Sequence, residues 1–459
     1  MIRIVTVFSI LVSFCFFPSK GLTQNSEVLN LERCITIALE QNPEFMIAKK
    51  QLDKSQADIW NSYSYVLPQL SANARLQHAW KIQETTIPNF IKSMLGPLAS
   101  PDMPDYVRIA FTLENNLTYG LSLNQPLFLG GAGIAGIKTA YAARDAQMQN
   151  LESQRQNLIY QSVDAFYGCL FAREVLQVQE ETVQQAEANL DVVQKKYSAG
   201  AASGFEAMRA KVEVANRQPD LINARNQYSS ALTRLRIILG IDPKTELDIE
   251  GALVFTEDHF DTLSLEELQN MAFQNRPEII ALDKQKAIAG YGVTIARSDY
   301  LPKLFFTTDY SQMANRNDLK FSGGDFSEGF TSALSLQIPI FSGFRTSSQV
   351  QKAKLDLNIV TDTERQLRDA IAAEVELAYN RFIETKNKYV SASETVNLAV
   401  EALRLANLMY DEGTNTQLDV LNSQLALTQS KLNYTQSLYE YQVSRYQLRK
   451  ATGQLAGAL

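Results

Sequence analysis

Apolar residues on either side of residue 413 follow an alternating spacing of three and four, which places a narrow apolar seam on each of two helices. Between these helices, Gly413 supplies the left-handed residue that commonly ends a helix. Thr416 and Asp419 then form a Thr-x-x-Asp start for the next helix. The pattern predicts a helical hairpin with a tight turn. Its seam residues are Val396, Ala399, Leu403, Ala406 and Tyr410 before the turn, and Leu418, Leu421, Leu425 and Thr428 after it.

A hairpin of the same design is predicted earlier in the chain. Gly200 takes the place of Gly413, and Ser203 with Glu206 forms the helix start. Pro219 interrupts the return helix, so we expect a kink there. The predicted seam residues are Val183, Ala186, Leu190, Val193 and Tyr197 before the turn, and Phe205, Met208, Val212 and Ala215 after it.

The two hairpins belong to a duplication that spans the chain. Pro302 follows Pro68 by 234 residues, whereas Gly413 follows Gly200 by 213. The difference of 21 residues predicts one insertion in the first copy, between Pro68 and Leu121. A repeat of this length indicates a duplicated structural unit, not a short-period solenoid.

Each copy is predicted to run as a helix, two strands, a long helix, a turn and a return helix. Prolines mark the predicted helix–strand junctions, namely Pro68, Pro126, Pro302 and Pro339. Pro68 and Pro302 prevent the preceding helices from continuing, whereas Pro126 and Pro339 lie at strand ends. Between these prolines the apolar period changes to two, which is typical of strands with one apolar and one polar face. The predicted strands are residues 69–80, 117–128, 303–313 and 330–341, and the predicted helical hairpins are residues 134–239 and 346–451. The connections Lys81–Asn116 and Ala314–Gly329 are expected to be loops.

The N-terminus has the pattern of an export signal. An apolar run from Ile4 to Phe17 is too short for a lasting membrane anchor, and we expect cleavage after Thr23. Cys15 is not expected to carry lipid, because bulky Phe14 precedes it where a lipoprotein signal needs a small residue. The predicted domains are a signal peptide (1–23), the first repeat (24–240), an inter-repeat segment (241–262) and the second repeat (263–459).

Composition narrows the possible classes of protein. A mean hydropathy of −0.17 with 45% apolar residues excludes a bundle of membrane helices. A net charge of −7 gives no reason to expect nucleic acid as a partner. An exported protein could pair Cys34 with Cys169, but their positions in separate helical segments favour small core residues.

Candidate chemistry is sparse, so we predict no enzyme, cofactor or metal site. Residues 131–136 match the G-x-G-x-x-G dinucleotide pattern. The preceding strand is two-faced, however, whereas a dinucleotide-binding strand is buried and apolar throughout. A flexible strand-to-helix junction is the preferred interpretation. Neither His78 nor His259 has a suitably spaced partner for metal or nucleophilic chemistry.

The strands constrain the assembly. Each is long enough to cross a thin apolar layer, and a sheet in lipid cannot leave its edges unpaired. Four strands cannot close a barrel, and eight would close on a lumen filled by side chains. An open lumen needs about twelve strands. We therefore expect three chains to share one barrel.

These features resemble the TolC-like outer-membrane efflux protein family over essentially the whole mature chain. The matching residues include Asn42-Pro-Glu44 and the junction prolines, and the strongest match is the segment from Tyr410 to Leu421. The resemblance implies a fold that is mainly α with a membrane β part, and a homotrimer in the outer membrane of a Gram-negative bacterium. Its twelve-stranded barrel would continue into a helical periplasmic tunnel. Such proteins are the exit duct of tripartite efflux or type I secretion systems. Their partners are outer-membrane lipid, a periplasmic adaptor and an inner-membrane pump of RND, ABC or MFS type.

The resemblance also implies where the tunnel narrows and where an adaptor docks. Asp419 would line a periplasmic constriction, where three copies would attract cations. This chain has Asn422 and Asn415 where the family has an acid and an arginine-type gate residue. The implied gate residues are Tyr410, Asp411, Glu412, Asn415, Asp419 and Asn422. The implied docking residues at the hairpin tips are Gly200, Ser203, Phe205, Glu206, Gly413, Thr416 and Leu418.

One alternative from another class stays open at this stage. A periplasmic structural or adaptor protein without a pore would have similar coiled-coil hairpins. It would have no reason for four alternating strands that end in prolines.

Overall fold

The computed structural model describes residues 28–455, so the predicted signal peptide and Cys15 lie outside the described residues. The first copy contains β1 (Val28–Leu29), α1 (Leu31–Gln41), α2 (Pro43–Ser64), β2 (Gln69–His78), β3 (Glu84–Pro88), α3 (Phe90–Leu95), β4 (Tyr106–Ala110), β5 (Asn115–Leu129), α4 (Ala132–Ser198) and α5 (Gly204–Leu239). After it come β6 (Asp248–Ile249), α6 (Leu265–Asn275), α7 (Pro277–Ser298), β7 (Lys303–Arg316), β8 (Phe326–Gln337), α8 (Arg345–Asp411) and α9 (Gln417–Ala451).

The long helices lie side by side in the order α5, α4, α9, α8. Helices α4 and α8 have 67 residues each, which corresponds to about 100 Å at 1.5 Å per residue. Lys431 on α9 reaches Glu181 on α4 at 2.7 Å, which fixes the two central helices as neighbours. Helix α5 runs through Pro219 without ending. Among the residues described, no helix is both long and apolar enough to cross a membrane.

Strands β2, β5, β7 and β8 form one antiparallel sheet in that order, so β2 and β8 are its edges. The register puts apolar residues from all four strands on one face: Leu70, Leu76, Leu117, Leu121, Leu123, Phe306, Tyr310, Phe330, Leu334 and Leu336. The opposite face carries Ser71, Asn73, Arg75, Thr118, Asn124, Thr307, Asp309, Ser311, Thr331 and Ser335. The alternation predicted for single strands therefore adds up to one two-faced sheet.

Several details of the strand region differ from the predictions. The Lys81–Asn116 connection is not a simple loop, since β3 pairs with β4 and α3 lies between them. Strand β8 begins at Phe326 and ends at Gln337, so it lies earlier than the predicted 330–341. Pro126 lies within β5 at a register shift, because a proline cannot donate a ladder hydrogen bond.

The duplication extends to individual contacts. Asn42, which caps α2, donates from Nδ2 to the carbonyl of Ile238 at 2.9 Å. Its counterpart Arg276 donates from Nη1 to the carbonyl of Ala451, the counterpart of Ile238, at 3.3 Å. The left-handed Gly453 (φ +74°) then packs so tightly that an added Cβ would lie 2.9 Å from the Asn275 backbone. Each copy thus ties the end of its return helix to the junction of its first two helices.

Two equivalent cores result from this arrangement. The first includes Phe166 and Leu235 together with the buried, free thiols Cys34 and Cys169. The second is built around Phe382 and Tyr441. Burial raises the pKa of Cys34 to about 12, so its thiol is an inert part of the packing.

The inter-repeat segment crosses α9 and is held there by polar contacts. Strand β6 pairs with β1 in parallel, and the Tyr441 hydroxyl donates to the carbonyl of Thr256 at 2.9 Å. Further along, the buried carboxylate of Asp258 contacts Arg449 at 2.7 Å and Arg445 at 3.0 Å. A charge this well buried needs such partners, and both come from α9.

Candidate functional site at the hairpin tips

The first tip joins α4 to α5 through two local devices. Gly200 adopts φ +72°, and the backbone N–H of Ala201 donates to the carbonyl of Lys196 at 2.8 Å, which satisfies the end of α4. Ser203 then caps α5, because its Oγ accepts from the N–H of Glu206 at 3.2 Å. Glu206 reaches back to the Ser203 N–H at 2.6 Å and completes a capping box.

The second tip repeats this geometry between α8 and α9. Gly413 adopts φ +74°, and the N–H of Thr414 donates to the carbonyl of Met409 at 2.9 Å. The Thr416 N–H donates to Asp419 Oδ2 at 3.0 Å, while the Asp419 N–H donates to Thr416 Oγ1 at 3.4 Å. The Asp419 carboxylate therefore has a structural task at the start of α9.

Both capping acids are held ionised by these contacts. The Thr416 hydroxyl and backbone N–H lower the pKa of Asp419 below its usual range. The backbone N–H and hydroxyl of Ser203 do the same to the pKa of Glu206. Hydrogen bonds to the charged form of an acid always act in this direction.

A single lysine connects the two long helices at their tips. Lys196 Nζ lies 3.3 Å from Asp411 Oδ1 and 4.1 Å from the centre of the Tyr410 ring. The lysine belongs to the last turn of α4, and both partners belong to the last turn of α8. One ion pair and one cation–π contact thus hold the two hairpins of one chain together at their free ends.

Gln417 provides a second connection. Its Nε2 donates to the carbonyl of Glu206 at 3.4 Å, from the first position of α9 to the first turn of α5. The side chain is buried, and its Oε1 finds no hydrogen-bond partner among the residues described. A buried, half-satisfied amide is costly, so this is a weak point in the packing of the tips.

Some of these tip residues are predictable from the sequence and others are not. Tyr410 and Asp411 were predicted at the gate, and the structure brings them together on Lys196. Glu412 and Asn422 are exposed, and Asn415 accepts a local hydrogen bond from Thr416. Lys196 and Gln417 were missed. One sequence signal could have identified Lys196. It lies in the last turn of α4, and its charge is opposite to that of Asp411 in the last turn of α8.

The predicted seams are correct on the ingoing helices apart from Tyr197, which is exposed, and less so on the return helices. Val183, Val193 and Ala406 are buried as expected. Phe205 and Leu418 are exposed, and Val420 is buried in place of Leu418. The prediction fails here because these return helices carry apolar residues on more than one face, and spacing alone does not say which face meets the same chain.

The glycine-rich junction before α4 has a packing explanation. A Cβ on Gly130 would lie 2.7 Å from the carbonyl oxygen of Ser298, and one on Gly133 would collide with the side chain of Val66. Gly131 adopts φ +89°, a conformation that Phe344 adopts at the equivalent place in the second copy. Gly130 and Gly133 therefore permit close approach of the sheet end and the helices, whereas Gly131 supplies only the backbone conformation. Within residues 28–455 no group of His, Cys, Asp or Glu could hold a metal ion.

A two-faced antiparallel sheet joined to helical hairpins of about 100 Å is the architecture of outer-membrane channel proteins. The chain belongs to the outer membrane efflux protein family, whose sequence model matches residues 34–241 and 268–454. The match confirms the predicted TolC-like resemblance and the outer-membrane location.

Individual relatives agree with this assignment. The outer membrane efflux protein BepC of Brucella suis is 23% identical over 66% of this chain, and the match spans 65% of BepC, less than two thirds of its length. The outer membrane protein TolC of Vibrio cholerae is 23% identical over 86% of this chain and 83% of its own. The solved CmeC outer membrane channel of Campylobacter jejuni superposes with a TM-score of 0.75 over 93% of this chain and 86% of CmeC, at 19% identity. None of these relatives supports an adaptor without a pore.

Proposed function

We propose that three copies of this chain close one twelve-stranded barrel in the outer membrane. The observation that carries the proposal is the two-faced sheet with its two unpaired edges, β2 and β8. Unpaired edges are not stable in lipid, so the edge of one copy must pair with the edge of the next. Because β2 and β8 run in opposite directions, such pairing gives an antiparallel ring with its apolar face to lipid and its polar face to the lumen.

The helices support the same closure below the sheet. Helices α5 and α8 are the outer members of the four-helix array, and both expose large apolar side chains within a single chain. Met208 and Val212 do so on α5, and Leu398 and Leu405 do so on α8. Contact between α8 of one copy and α5 of the next would bury these residues and continue the barrel as a helical tunnel.

This tunnel would serve as the exit duct of a tripartite efflux or type I secretion system. We infer that a periplasmic adaptor docks at the hairpin tips and opens them, and that the adaptor connects the duct to an inner-membrane pump of RND, ABC or MFS type. The predicted docking residues are Gly200, Ser203, Phe205, Glu206, Gly413, Thr416 and Leu418. The tips suit this role, because Lys196 holds them by exposed contacts that cost little to break. The protein would need no enzymatic activity of its own.

The second tip would form the constriction. Three copies of Asp419, each held ionised by its capping box, would make an acidic ring that attracts cations. Tyr410 and Asp411 would set the closed state through Lys196. Glu412, Asn415 and Asn422 complete the predicted gate, although within residues 28–455 no contact across the hairpins supports their role.

Reconstitution tests the proposal directly. The purified protein should show the mass of three chains by native mass spectrometry and should form ion channels in planar lipid bilayers. It should also migrate on gels as a trimer that dissociates only on heating. A monomer in detergent that never conducts would refute the barrel and would favour a pore-less periplasmic protein.

A further inference from the structure

The insertion between β2 and β5 is a folded module at the end of the sheet that faces away from the helices. We call residues 79–114 the outer module. Strands β3 and β4 pair over five residues, and α3 connects them. The buried side chain of Asn89 donates to the carbonyl of Pro104 at 2.9 Å, and Lys92 reaches Asp105 at 2.7 Å. The module therefore has a defined shape of its own.

The apolar side chains of the outer module are not used inside it. Helix α3 has no buried residue, and Met94 and Leu98 are 91% and 86% exposed. Phe90, Ile91 and Phe111 are exposed as well. A two-stranded hairpin with so little buried surface is marginally stable alone. The spacing of three and four makes Phe90, Ile91 and Met94 neighbours on α3, and an exposed apolar patch of this kind often marks an interaction site.

The topology places this patch beside a neighbouring copy. The module continues directly from β2, an edge strand of the sheet. In the proposed ring, that edge pairs with β8 of the next copy, and β8 begins at the same end of the sheet at which β2 finishes. The module therefore emerges next to the 317–325 connection of its neighbour. That connection has an exposed Leu319 and a half-buried Phe321.

The charges of the module favour a protein partner over lipid. It has three basic residues, Lys81, Lys92 and Arg108, against four acidic ones, Glu84, Asp102, Asp105 and Glu114. A surface that binds anionic lipid headgroups is expected to have a basic excess. This module has none.

We propose that the outer module docks through Met94 and Leu98 onto the 317–325 connection of the neighbouring copy, so that three such contacts fasten the outer end of the trimer. The proposal rests on the proposed trimer. The contact would explain the 21-residue difference between the two copies. The outer module joins the two strands of the first copy, and the shorter 317–325 connection joins the two strands of the second copy and receives the module.

Photo-crosslinking tests the contact. A benzophenone amino acid at Met94, in the full chain in outer membranes, should give a product of two chains whose crosslinked peptide contains residues 317–325. The matched control carries the same probe at Ile340, which is 95% exposed near the other end of the sheet, and should give no product that contains residues 317–325. A product with lipid, a peptide from elsewhere, or no product at Met94 would overturn the docking.

A second measurement separates the docking from the trimer itself. Native mass spectrometry on the same samples reports whether three chains assemble. If they do and the crosslink fails, only the docking is wrong; if no trimer forms, the proposed function fails first. The double variant Met94→Ser, Leu98→Ser should still assemble, but its trimer should dissociate at a lower temperature in detergent. An unchanged dissociation temperature would also count against the contact.

Discussion

Replacing Lys196 by methionine should open the periplasmic end of the channel. The change keeps a long apolar side chain at the end of α4 but removes the charge that contacts Asp411 and the Tyr410 ring. Packing of the lysine stem is largely preserved, since methionine has a similar length. The variant therefore tests the two electrostatic contacts and little else.

The size of the effect follows from the exposure of the partners. The Lys196 side chain is 31% exposed and that of Asp411 is 70% exposed, so the ion pair contributes at most about 1 kcal/mol. The cation–π contact adds about 0.5–1 kcal/mol at an exposed site. Each copy therefore loses about 0.5–2 kcal/mol. If three copies open together, the loss is roughly 1.5–6 kcal/mol, and because about 1.4 kcal/mol is tenfold, the closed state loses about one to four orders of magnitude in population.

Planar-bilayer conductance measures this shift. Lys196→Met should show a higher conductance, or longer open periods, than the wild-type channel. The control is Lys195→Met, since Lys195 pairs with Asp191 on the same helix and connects nothing across the tips. Asp411→Asn should show a smaller shift in the same direction, because it removes the ion pair and leaves the cation–π contact with Tyr410. The double variant should add little to Lys196→Met, because both changes remove the same ion pair. Equal conductance of Lys196→Met and Lys195→Met would refute a role of the Lys196 contacts in closing the tips.

Three further predictions concern charge selectivity, stability and the cysteines. Asp419→Asn should weaken the cation preference of the channel in bilayers, whereas Glu206→Gln, which disturbs the equivalent capping box of the first copy, should not. Equal selectivity of the two variants would show that Asp419 does not line the lumen. Arg276→Met should destabilise the protein by about 2 kcal/mol, because the guanidinium is only 8% exposed and pairs with Glu278 at 3.0 Å and Glu374 at 2.9 Å. Thermal unfolding measures this loss. The control Arg365→Met, which removes an exposed pair with Asp362 at 4.0 Å, should leave the stability unchanged. Burial raises the pKa of Glu278, but the Arg276 charge and several hydrogen bonds, including one from Ser153, outweigh it, so the pKa lies below its usual value. The stability from the Arg276–Glu278 pair is therefore present above about pH 4.3 and is lost as the pH falls through the lowered pKa. Acid unfolding of the wild type compared with Arg276→Met would detect this loss. Cys34 and Cys169 should react with an aromatic disulfide reagent only after unfolding, since burial raises the pKa of Cys34 to about 12; rapid reaction of the native protein, or no free thiol after unfolding, would contradict this.

The sequence was most informative where the two copies agree. An offset of 234 relates Asn42 to Arg276, and an offset of 213 relates Ile238 to Ala451. The structure joins both pairs by the same kind of contact, although one donor is an amide and the other a guanidinium. Proline, glycine and capping residues act through the backbone, so their positions predict local structure before any packing is known.

Other features depend on what surrounds a residue, and spacing does not contain that information. Phe205 and Leu418 lie on a regular apolar stripe, yet within one chain they are exposed. A helix in a tunnel wall has a neighbour on each side and therefore an apolar stripe for each. The spacing does not tell which stripe contacts the same chain and which contacts another copy. The outer module was expected to be a loop for a related reason. Its strands are short and its helix has six residues, too few for a periodic pattern.

The duplication also indicates which tip residues carry function. Capping boxes occur at both tips, so the structural tasks of Ser203, Thr416 and their acidic partners are shared architecture. Lys196 and Asp411 differ: their counterparts in the other copy are Met409 and Ser198, which cannot form an equivalent ion pair. The contact between the hairpins therefore depends on one charge particular to each copy. A stable helical hairpin requires neither charge, so a role in holding the tips closed explains them better than folding does.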